Sequence, residues 1–149
     1  MRYFEVIEKY KDKGINLPKR ETAYSGGYDL EAAEKVVLKP FKLGDKPYFI
    51  PTGIKACFQK NEVLMIVNRS SGPKKGLVMS NGIGIIDSDY YNNKENEGHI
   101  LLQFINITKE DIVINKGDRI GQGVFCKYLK TDDDLSNNKK RTGGHGSTD

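Results

Sequence analysis

The sequence predicts an all-β domain with the architecture of a sandwich or a barrel. About ten short segments are rich in β-branched residues or alternate apolar with polar residues, and Gly, Pro, Asn or Asp separates them at regular spacing. No segment has a convincing helical period, which is the pattern expected of sandwiches and barrels. With 149 residues, one domain can bury a sizeable core without a disulfide or a bound metal.

The strand candidates follow one another along most of the chain. In order they are residues 3–9, 34–38, 49–50, 54–58, 63–67, 78–80, 83–86, 99–107, 111–114 and 120–129. Pro40 stops the second candidate. The run 63–67 is short and continuously apolar, so we expect a strand that is buried on both faces. Asn81-Gly82 favours a tight hairpin whose arms are 78–80 and 83–86.

The charge of the chain narrows the class of partner. The formal net charge is +4 and the pI is about 8.9, which favours anionic partners. The lysines are dispersed, however, and aromatic residues do not alternate with them as they do in many nucleic-acid-binding proteins. We therefore expect no nucleic-acid partner, whereas a small polyanion such as a nucleoside triphosphate fits this charge.

The cysteines and the N-terminus indicate the compartment. Cys57 and Cys126 each lie in an apolar run without a second cysteine or a histidine at ligand spacing, so we interpret both as reduced core residues. The first residues contain no apolar run typical of a signal peptide, and no later segment approaches the length of a membrane span. These features predict a cytoplasmic protein with no membrane partner.

Residues 81–90 contain the most informative sequence of the chain. Gly82 and Gly84 lie two positions apart, and three isoleucines accompany them in a run that favours a half-buried strand. Asp87, Asp89 and Tyr90 follow directly, so this strand ends in carboxylates and an aromatic ring. A strand backbone with few side chains can offer N–H and C=O groups to a flat ligand. The alternative interpretation is a surface hairpin with two solvated aspartates.

Two other segments have features of a binding site. The glycine pair in 25–30 (Ser-Gly-Gly-Tyr-Asp-Leu) places Asp29 at the end of a constrained turn, although such a pair usually marks only a loop. Arginine, two serines and a glycine at 69–72 follow a predicted strand. The guanidinium, hydroxyl and backbone N–H groups there would suit a phosphate, and a solvated basic loop is an equal alternative.

The composition changes abruptly at Thr131. Residues 131–149 contain one leucine and many charged or small residues, so they cannot bury enough apolar surface to order by themselves. The last nine residues nevertheless combine a basic residue, glycines, one ring and two hydroxyls. This combination favours a tail that becomes ordered over a ligand, and a frayed chain end is the alternative.

Five segments, taken in order, resemble the five motifs of the trimeric dUTP pyrophosphatases (dUTPases). They are 25–30, 69–72, 81–90, 117–122 (Gly-Asp-Arg-Ile-Gly-Gln) and the tail 141–148. Each motif alone is weak, whereas all of them in this order over nearly the whole chain are specific. The resemblance implies a jelly-roll-like subunit of the β-clip type that forms a homotrimer. In it, residues 1–130 would be the core, and 131–149 a flexible arm that is exchanged between subunits and closes over the active site.

The resemblance also implies a reaction. The expected activity is hydrolysis of dUTP to dUMP and diphosphate by in-line attack of water at the α-phosphorus, which keeps uracil out of DNA and supplies dUMP for thymidylate synthesis. The expected cofactor is Mg²⁺ held by the triphosphate, in agreement with the preference of this ion for phosphate oxygens and water.

The resemblance implies roles for individual residues. Asp87 is similar to the residue that orients and deprotonates the attacking water, and Tyr90 to the tyrosine whose ring excludes a ribose 2′-hydroxyl. Asp29 resembles a carboxylate that supports the water shell of the metal without binding the ion directly. The other substrate-binding residues implied are Arg69, Ser70, Ser71, Asn81, Gly84, Ile85, Ile86, Leu101, Gln122, Arg141, His145, Gly146, Ser147 and Thr148. His145 stands where the family usually has phenylalanine, and an imidazole can also stack on uracil.

Departures from the family pattern leave alternatives open. Only Thr142 separates Arg141 from the glycine pair, so either Arg141 or Lys140 would contact the γ-phosphate. The related dCTP deaminases need a glutamate where this chain has Gln103, and an amide cannot exchange the required proton. The loop 91–98 is longer than usual, which makes it a natural site for a regulatory protein partner in a third interpretation.

Overall fold

The computed structural model describes residues 1–136, 141–146 and 148–149, and within them the protein is almost entirely β. The strands are β1 (Tyr3–Val6), β2 (Tyr28–Glu31), β3 (Val36–Leu38), β4 (Tyr48–Pro51), β5 (Ile54–Cys57), β6 (Glu62–Val67), β7 (Leu77–Met79), β8 (Gly84–Asp87), β9 (Leu101–Asn106), β10 (Ile112–Ile114) and β11 (Arg119–Lys127). A single-turn helix, α1 (Ser71–Lys74), and two 3₁₀ turns (Glu8–Tyr10 and Ser88–Tyr90) complete the regular structure of these residues. The all-β prediction is confirmed.

All paired strands are antiparallel and form four small sheets. The largest has the order β2-β11-β6-β8, the next β4-β9-β7, and two-stranded sheets pair β1 with β5 and β3 with β10. Neighbours in a sheet are seldom neighbours in sequence, as in a jelly roll. One apolar core lies between the sheets. Its fully buried side chains include Leu30, Leu38, Ile50, Leu64, Leu102 and Phe104.

The predicted hairpin at Asn81-Gly82 is wrong. β7 pairs with β9 and β8 pairs with β6, so the turn connects two different sheets. A hairpin of the expected type needs positive φ at both central residues, whereas only Gly82 has it, with φ +71°. The Gly82 N–H donates to the carbonyl of Met79 at 3.0 Å and closes the turn one residue earlier than predicted. The pairing therefore carries β8 to the edge of the four-stranded sheet.

The expectation that 63–67 is buried on both faces is wrong for the single chain. Leu64 and Ile66 of β6 are buried in the core, while Val63, Met65 and Val67 on the other face are only half-buried. The helix α1 was also not predicted. It tolerates Pro73 because the first turn of a helix needs no N–H donor there, and Gly76 ends it with φ +82°.

Both cysteines are free, as predicted, but they are half-buried and do not belong to the core. The predicted boundary at residue 130, between the core and the tail, remains a prediction. Within the described residues, no helix has the length and apolarity needed to cross a membrane.

Candidate active site

One cavity of about 260 Å³ brings together most of the predicted site residues. Ten of them line it: Asn81, Gly84, Ile85, Ile86, Asp87, Tyr90, Leu101, Arg141, His145 and Gly146. They come from the turn before β8, from β8 itself, the 3₁₀ turn after it, the start of β9 and the tail, which together span much of the sequence. The cavity lies where the edge of one sheet faces the neighbouring sheet.

β8 forms one wall of the cavity with its backbone. Among the described residues it pairs with β6 on one side only, so alternate N–H and C=O groups on its other side have no strand partner there. Gly84 lies against Ile66, and a Cβ at Gly84 would come within 3.3 Å of the Cβ of Ile66. A glycine here therefore allows close approach of the backbone, and the free edge can hydrogen-bond a flat polar ligand.

Asp87 stands at the end of β8 and pairs with the tail. Its Oδ2 accepts a hydrogen bond from Nη2 of Arg141 at 2.7 Å. Asp89 accepts from the backbone N–H of Arg141 at 3.2 Å and from its Nε at 3.4 Å. Arg141 thus bridges both carboxylates. An anionic ligand that enters the cavity would compete with these carboxylates for the guanidinium.

Tyr90 is buried beside Asp87, with 5% of its surface exposed. Its hydroxyl donates to the backbone carbonyl of His99 at 2.7 Å and accepts from Nδ2 of Asn96 at 2.8 Å. Burial raises the pKa of Tyr90, so the phenol is neutral near pH 7. The ring therefore acts as a fixed, uncharged wall of the cavity.

The described part of the tail lies on the same cavity. A Cβ at Gly144 would come within 2.6 Å of Cε2 of Tyr90, so the tail backbone packs directly on this ring. The ring of His145 contacts Phe49 edge-on, with centroids 5.2 Å apart. The tail contacts the cavity of its own chain in this structure, and the predicted exchange between subunits stays a prediction.

A second cluster of predicted residues lies around Asp29. Its carboxylate pairs with Nε of Arg69 at 3.2 Å and lies 3.7 Å from Nη1 of Arg119. Gln122 is opposite Asp29 in the β2–β11 register, and its side chain lies over Gly27, where a Cβ would come within 2.1 Å of Oε1. The glycine pair at 26–27 therefore leaves room for the amide. None of Asp29, Arg69 and Gln122 lines the cavity.

The structure separates these two groups along the sheet. Asp87 lies opposite Val63 of β6, and Gln122 lies opposite Val67, four positions further along the same strand. This separation corresponds to roughly 13 Å along the strand. Because residues on one face alternate, both side chains nevertheless lie on the same, outward face of the sheet as Met65.

Three further predicted residues lie outside the cavity. Ser70 precedes α1 and is exposed, and Ser71 is its first residue and is half-buried. Thr148 is exposed. The predictions for Ser147 and Lys140 fall outside the described residues.

Five lining residues were not predicted as substrate-binding residues: Ile66, Met79, Leu102, Gln103 and Gly144. Ile66, Met79 and Leu102 form the apolar floor and belong to the core, so their sequence signal is that of any buried strand residue. Gln103 had a usable signal, since it follows Leu101 at the period of 2 in β9 and must lie on the same face. Its presence puts an amide, not a carboxylate, in the cavity.

The acidic residues do not form a ready-made metal cage. In the part of the chain that the structure describes, no group of three or more His, Cys, Asp or Glu side chains could hold a metal ion. One carboxylate oxygen of Asp29 faces Arg69 and the other faces Arg119. Because a carboxylate has about four lone-pair sites, Asp29 can still accept hydrogen bonds from the waters of a hydrated cation. This donor set suits a metal bound through water.

Comparisons with known proteins agree on one family. The dUTPase family model matches residues 13–149. A protein of Lactococcus lactis named deoxyuridine 5'-triphosphate nucleotidohydrolase is 53% identical, over 99% of this chain and 97% of its own length. The protein of the same name from Treponema denticola is 36% identical, over 97% of each chain.

Solved structures give the same result. The crystal structure of a dUTPase from Streptococcus mutans superposes with a TM-score of 0.81 at 46% identity, covering 87% of this chain and 98% of the other. A mutant dUTPase from the Staphylococcus aureus phage phi11 has a TM-score of 0.71 at 19% identity, covering 92% of this chain and 97% of the other, which shows the fold alone. That structure is described as revealing the coordination of a structural Mg(II) ion.

Proposed function

The chain belongs to the dUTPase family, and on this premise we propose that it hydrolyses dUTP to dUMP and diphosphate at the cavity beside Asp87. The observation that carries the proposal is the convergence of ten predicted residues on one cavity. All ten were predicted from the sequence, and they come from positions as distant in the chain as Asn81 and His145.

The cavity suits uracil and deoxyribose. The free edge of β8 offers N–H and C=O groups to the polar edge of a pyrimidine, while Ile86 and Leu101 supply an apolar surface for its faces. Tyr90 is buried and lines the cavity, and its ring would exclude a hydroxyl at the 2′ carbon of the sugar. The tail residue His145 covers the opening and can stack on the base.

Asp87 is proposed as the general base. Its half-exposed carboxylate accepts a proton from a water, whose oxygen forms a bond to the α-phosphorus as the bond from that phosphorus to the bridging oxygen breaks. Diphosphate leaves with the electron pair of that bond, and dUMP keeps the oxygen from water. Arg141 is released from Asp87 when the phosphates attract it, which frees the carboxylate to take the proton.

The cluster around Asp29 is proposed to bind the phosphates. Arg69 presents a guanidinium held in place by Asp29, and Gln122 together with Ser70 and Ser71 adds neutral donors. Mg²⁺ bound to the triphosphate would neutralise part of its charge, and Asp29 would accept hydrogen bonds from the waters of the ion.

Two observations favour a site shared between subunits. Asp87 and the Asp29 cluster lie apart on one outward face of the four-stranded sheet. The side chains between them are apolar and only half-buried or exposed in the single chain: Val63, Met65, Val67, Ile85, Val124 and Cys126. Burial of this face against other copies would meet the two-sided burial expected for β6. We propose the homotrimer, in which one subunit supplies Asp87 and another the phosphate cluster.

The deaminase alternative is disfavoured by the site itself. Gln103 lines the cavity, and an amide neither accepts nor releases the proton that replacement of a pyrimidine amino group requires. A regulatory protein partner at the loop 91–98 stays a prediction.

Product analysis tests the proposed function. Purified protein is incubated with Mg²⁺ and, separately, with dUTP, dCTP, dTTP and UTP, and the products are separated by ion exchange. We expect dUMP and diphosphate from dUTP and little reaction with the other nucleotides. Conversion of dCTP to dUTP and ammonia would establish the deaminase alternative, and no turnover of dUTP would reject the proposal.

A further inference from the structure

The long loop 91–98 is held in place beside Tyr90, which lines the cavity. Nζ of Lys55 on β5 donates to Oδ1 of Asn92 and lies 2.6 Å from Oε2 of Glu97, and Lys55 is only 7% exposed. The N–H of Asn92 donates to the carbonyl of Glu97 at 3.0 Å, and both residues have positive φ. The two positive-φ residues and the buried ammonium group of Lys55 therefore restrict the loop to one conformation.

Inside this loop, two asparagine amides connect to Tyr90. Nδ2 of Asn93 donates to the backbone carbonyl of Tyr90 and to Oδ1 of Asn96, both at 2.8 Å. Oδ1 of Asn93 accepts from the N–H groups of Glu95 and Asn96. Nδ2 of Asn96 then donates to the hydroxyl of Tyr90 at 2.8 Å. The network thus reaches the tyrosine at both its backbone and its phenol.

The orientation of the Asn96 amide follows from its partners. Its Oδ1 lies 3.1 Å from the N–H of Gly98, which is a donor and cannot accept, so Oδ1 must face that side. Nδ2 is therefore directed at the phenol oxygen, which must accept. The tyrosine proton is left to donate to the carbonyl of His99. The phenol therefore accepts from Asn96 and donates to His99, and the direction of both hydrogen bonds is fixed.

We propose that Asn96 is a positioning residue that sets the preference of this site for deoxyribose over ribose, because its amide holds the Tyr90 ring where a 2′-hydroxyl would lie. This inference rests on the proposed dUTP hydrolysis. Without the Asn96 donor, the phenol keeps only its hydrogen bond to the carbonyl of His99, and the ring can tilt away from the cavity. Ribose nucleotides would then enter more easily.

The same loop also contacts the tail. The N–H of Glu95 donates to the carbonyl of Thr142 at 3.2 Å, and Gly144 of the tail packs on the Tyr90 ring. A displaced ring would therefore disturb closure of the tail as well. The expected loss is in kcat/KM for dUTP and in selectivity, not in folding.

The test compares kcat/KM for dUTP and for UTP in five proteins: wild type, Asn96→Asp, Asn96→Leu, Tyr90→Phe and the double variant Asn96→Asp/Tyr90→Phe. Asn96→Asp keeps the shape of the side chain but removes the donor, and it serves if the leucine variant fails to fold. The control is Lys94→Leu, which alters an exposed side chain of the same loop. Loss of one hydrogen bond should lower the selectivity ratio, which is kcat/KM for dUTP divided by kcat/KM for UTP, by roughly two- to tenfold in both Asn96 variants. The control should keep the wild-type ratio.

The double variant distinguishes positioning from general loosening of the loop. If Asn96 acts through the phenol, Asn96→Asp should cause little further change of the ratio once Tyr90→Phe has removed the hydroxyl. An unchanged ratio in the single Asn96 variants, or an equal fall in the Tyr90→Phe background, would overturn the inference. A wild-type protein that does not hydrolyse dUTP would instead overturn the proposed function on which it rests.

Discussion

The two groups of predicted site residues differ in how complete they are within one chain. The cavity beside Asp87 has walls from β8 and β9, a floor from the core and a cover from the tail. The cluster around Asp29 is an open array in which Arg69 and Arg119 flank one carboxylate on the sheet surface. On the proposed function, the single chain would enclose the base and sugar and would hold only part of the site for the phosphates.

The proposed site shared between copies of the chain would explain this difference. A pocket for a flat base with a polar edge needs enclosure, which a single core can provide. A site for a mobile triphosphate needs charge, and here the charge lies at the other end of an apolar sheet face. The following predictions test this division, beginning with the largest expected effect.

Asp87→Asn should abolish most of the activity. The amide keeps the shape of the side chain but cannot take the proton from water, so we expect kcat to fall by roughly 10²–10⁴-fold while nucleotide affinity changes little. Steady-state kinetics and calorimetric titration with a non-hydrolysable dUTP analogue measure the two quantities. An unchanged kcat would remove Asp87 from the chemistry.

Arg69→Ala should lower kcat/KM by roughly 10²-fold, because a positioned donor to the phosphates is lost. The informative experiment mixes this variant with Asp87→Asn during refolding. If one subunit supplies Asp87 and another supplies Arg69, roughly a quarter of the sites in random mixtures regain both residues. Each variant refolded alone is the control, and no recovery on mixing would place both residues in the same subunit.

Met65→Glu should prevent association. The residue lies in the middle of the outward apolar face, and burial of an unpaired carboxylate there should cost about 3–5 kcal/mol. Light scattering on a sizing column should give the mass of a trimer for the wild type and of a monomer for the variant. Val113→Glu, an exposed apolar strand position on β10, is the matched control. A monomeric wild type would contradict the shared site.

The buried His99, whose backbone carbonyl holds the hydroxyl of Tyr90, should make the fold sensitive to acid. Burial lowers the pKa of His99 to about 4, from an ordinary value of about 6.5, and its Nε2 accepts from the N–H of Gly53 at 2.9 Å. The unfolded chain therefore binds a proton more readily, so stability is lost as pH falls from 6.5 towards 4.

Between pH 7 and pH 5 this effect should remove about 2 kcal/mol of the free energy of unfolding. Urea denaturation at the two pH values measures it, and His99→Gln, which keeps an acceptor, should reduce the loss. An equal loss in the variant would assign the acid sensitivity to other groups.

The sequence predicted the strands well because turn residues and alternation are local signals. The apolar run of β6 and the punctuated segments around it were placed to within a few residues. The pairing was not accessible in the same way. Asn81-Gly82 has the composition of a hairpin, but β8 pairs with β6, where Ile86 packs against the core opposite Leu64, which is a long-range preference.

The members of the site were also predictable, but their grouping was not. Motif resemblance identified Asp87 and Arg69 without indicating that one sheet would hold them at different ends. The contact of Arg141 with Asp87 depends on the path of the tail, which no local pattern specifies. Asn96 had no motif, and only the structure connects its amide to Tyr90.

The most direct measurement follows oxygen from water into the products. Wild-type protein is incubated with dUTP and Mg²⁺ in water enriched in ¹⁸O, and both products are analysed by mass spectrometry. Attack at the α-phosphorus by a water that Asp87 activates predicts that the label is in dUMP and absent from diphosphate. Label in diphosphate would mean attack at the β-phosphorus and would contradict the role assigned to Asp87.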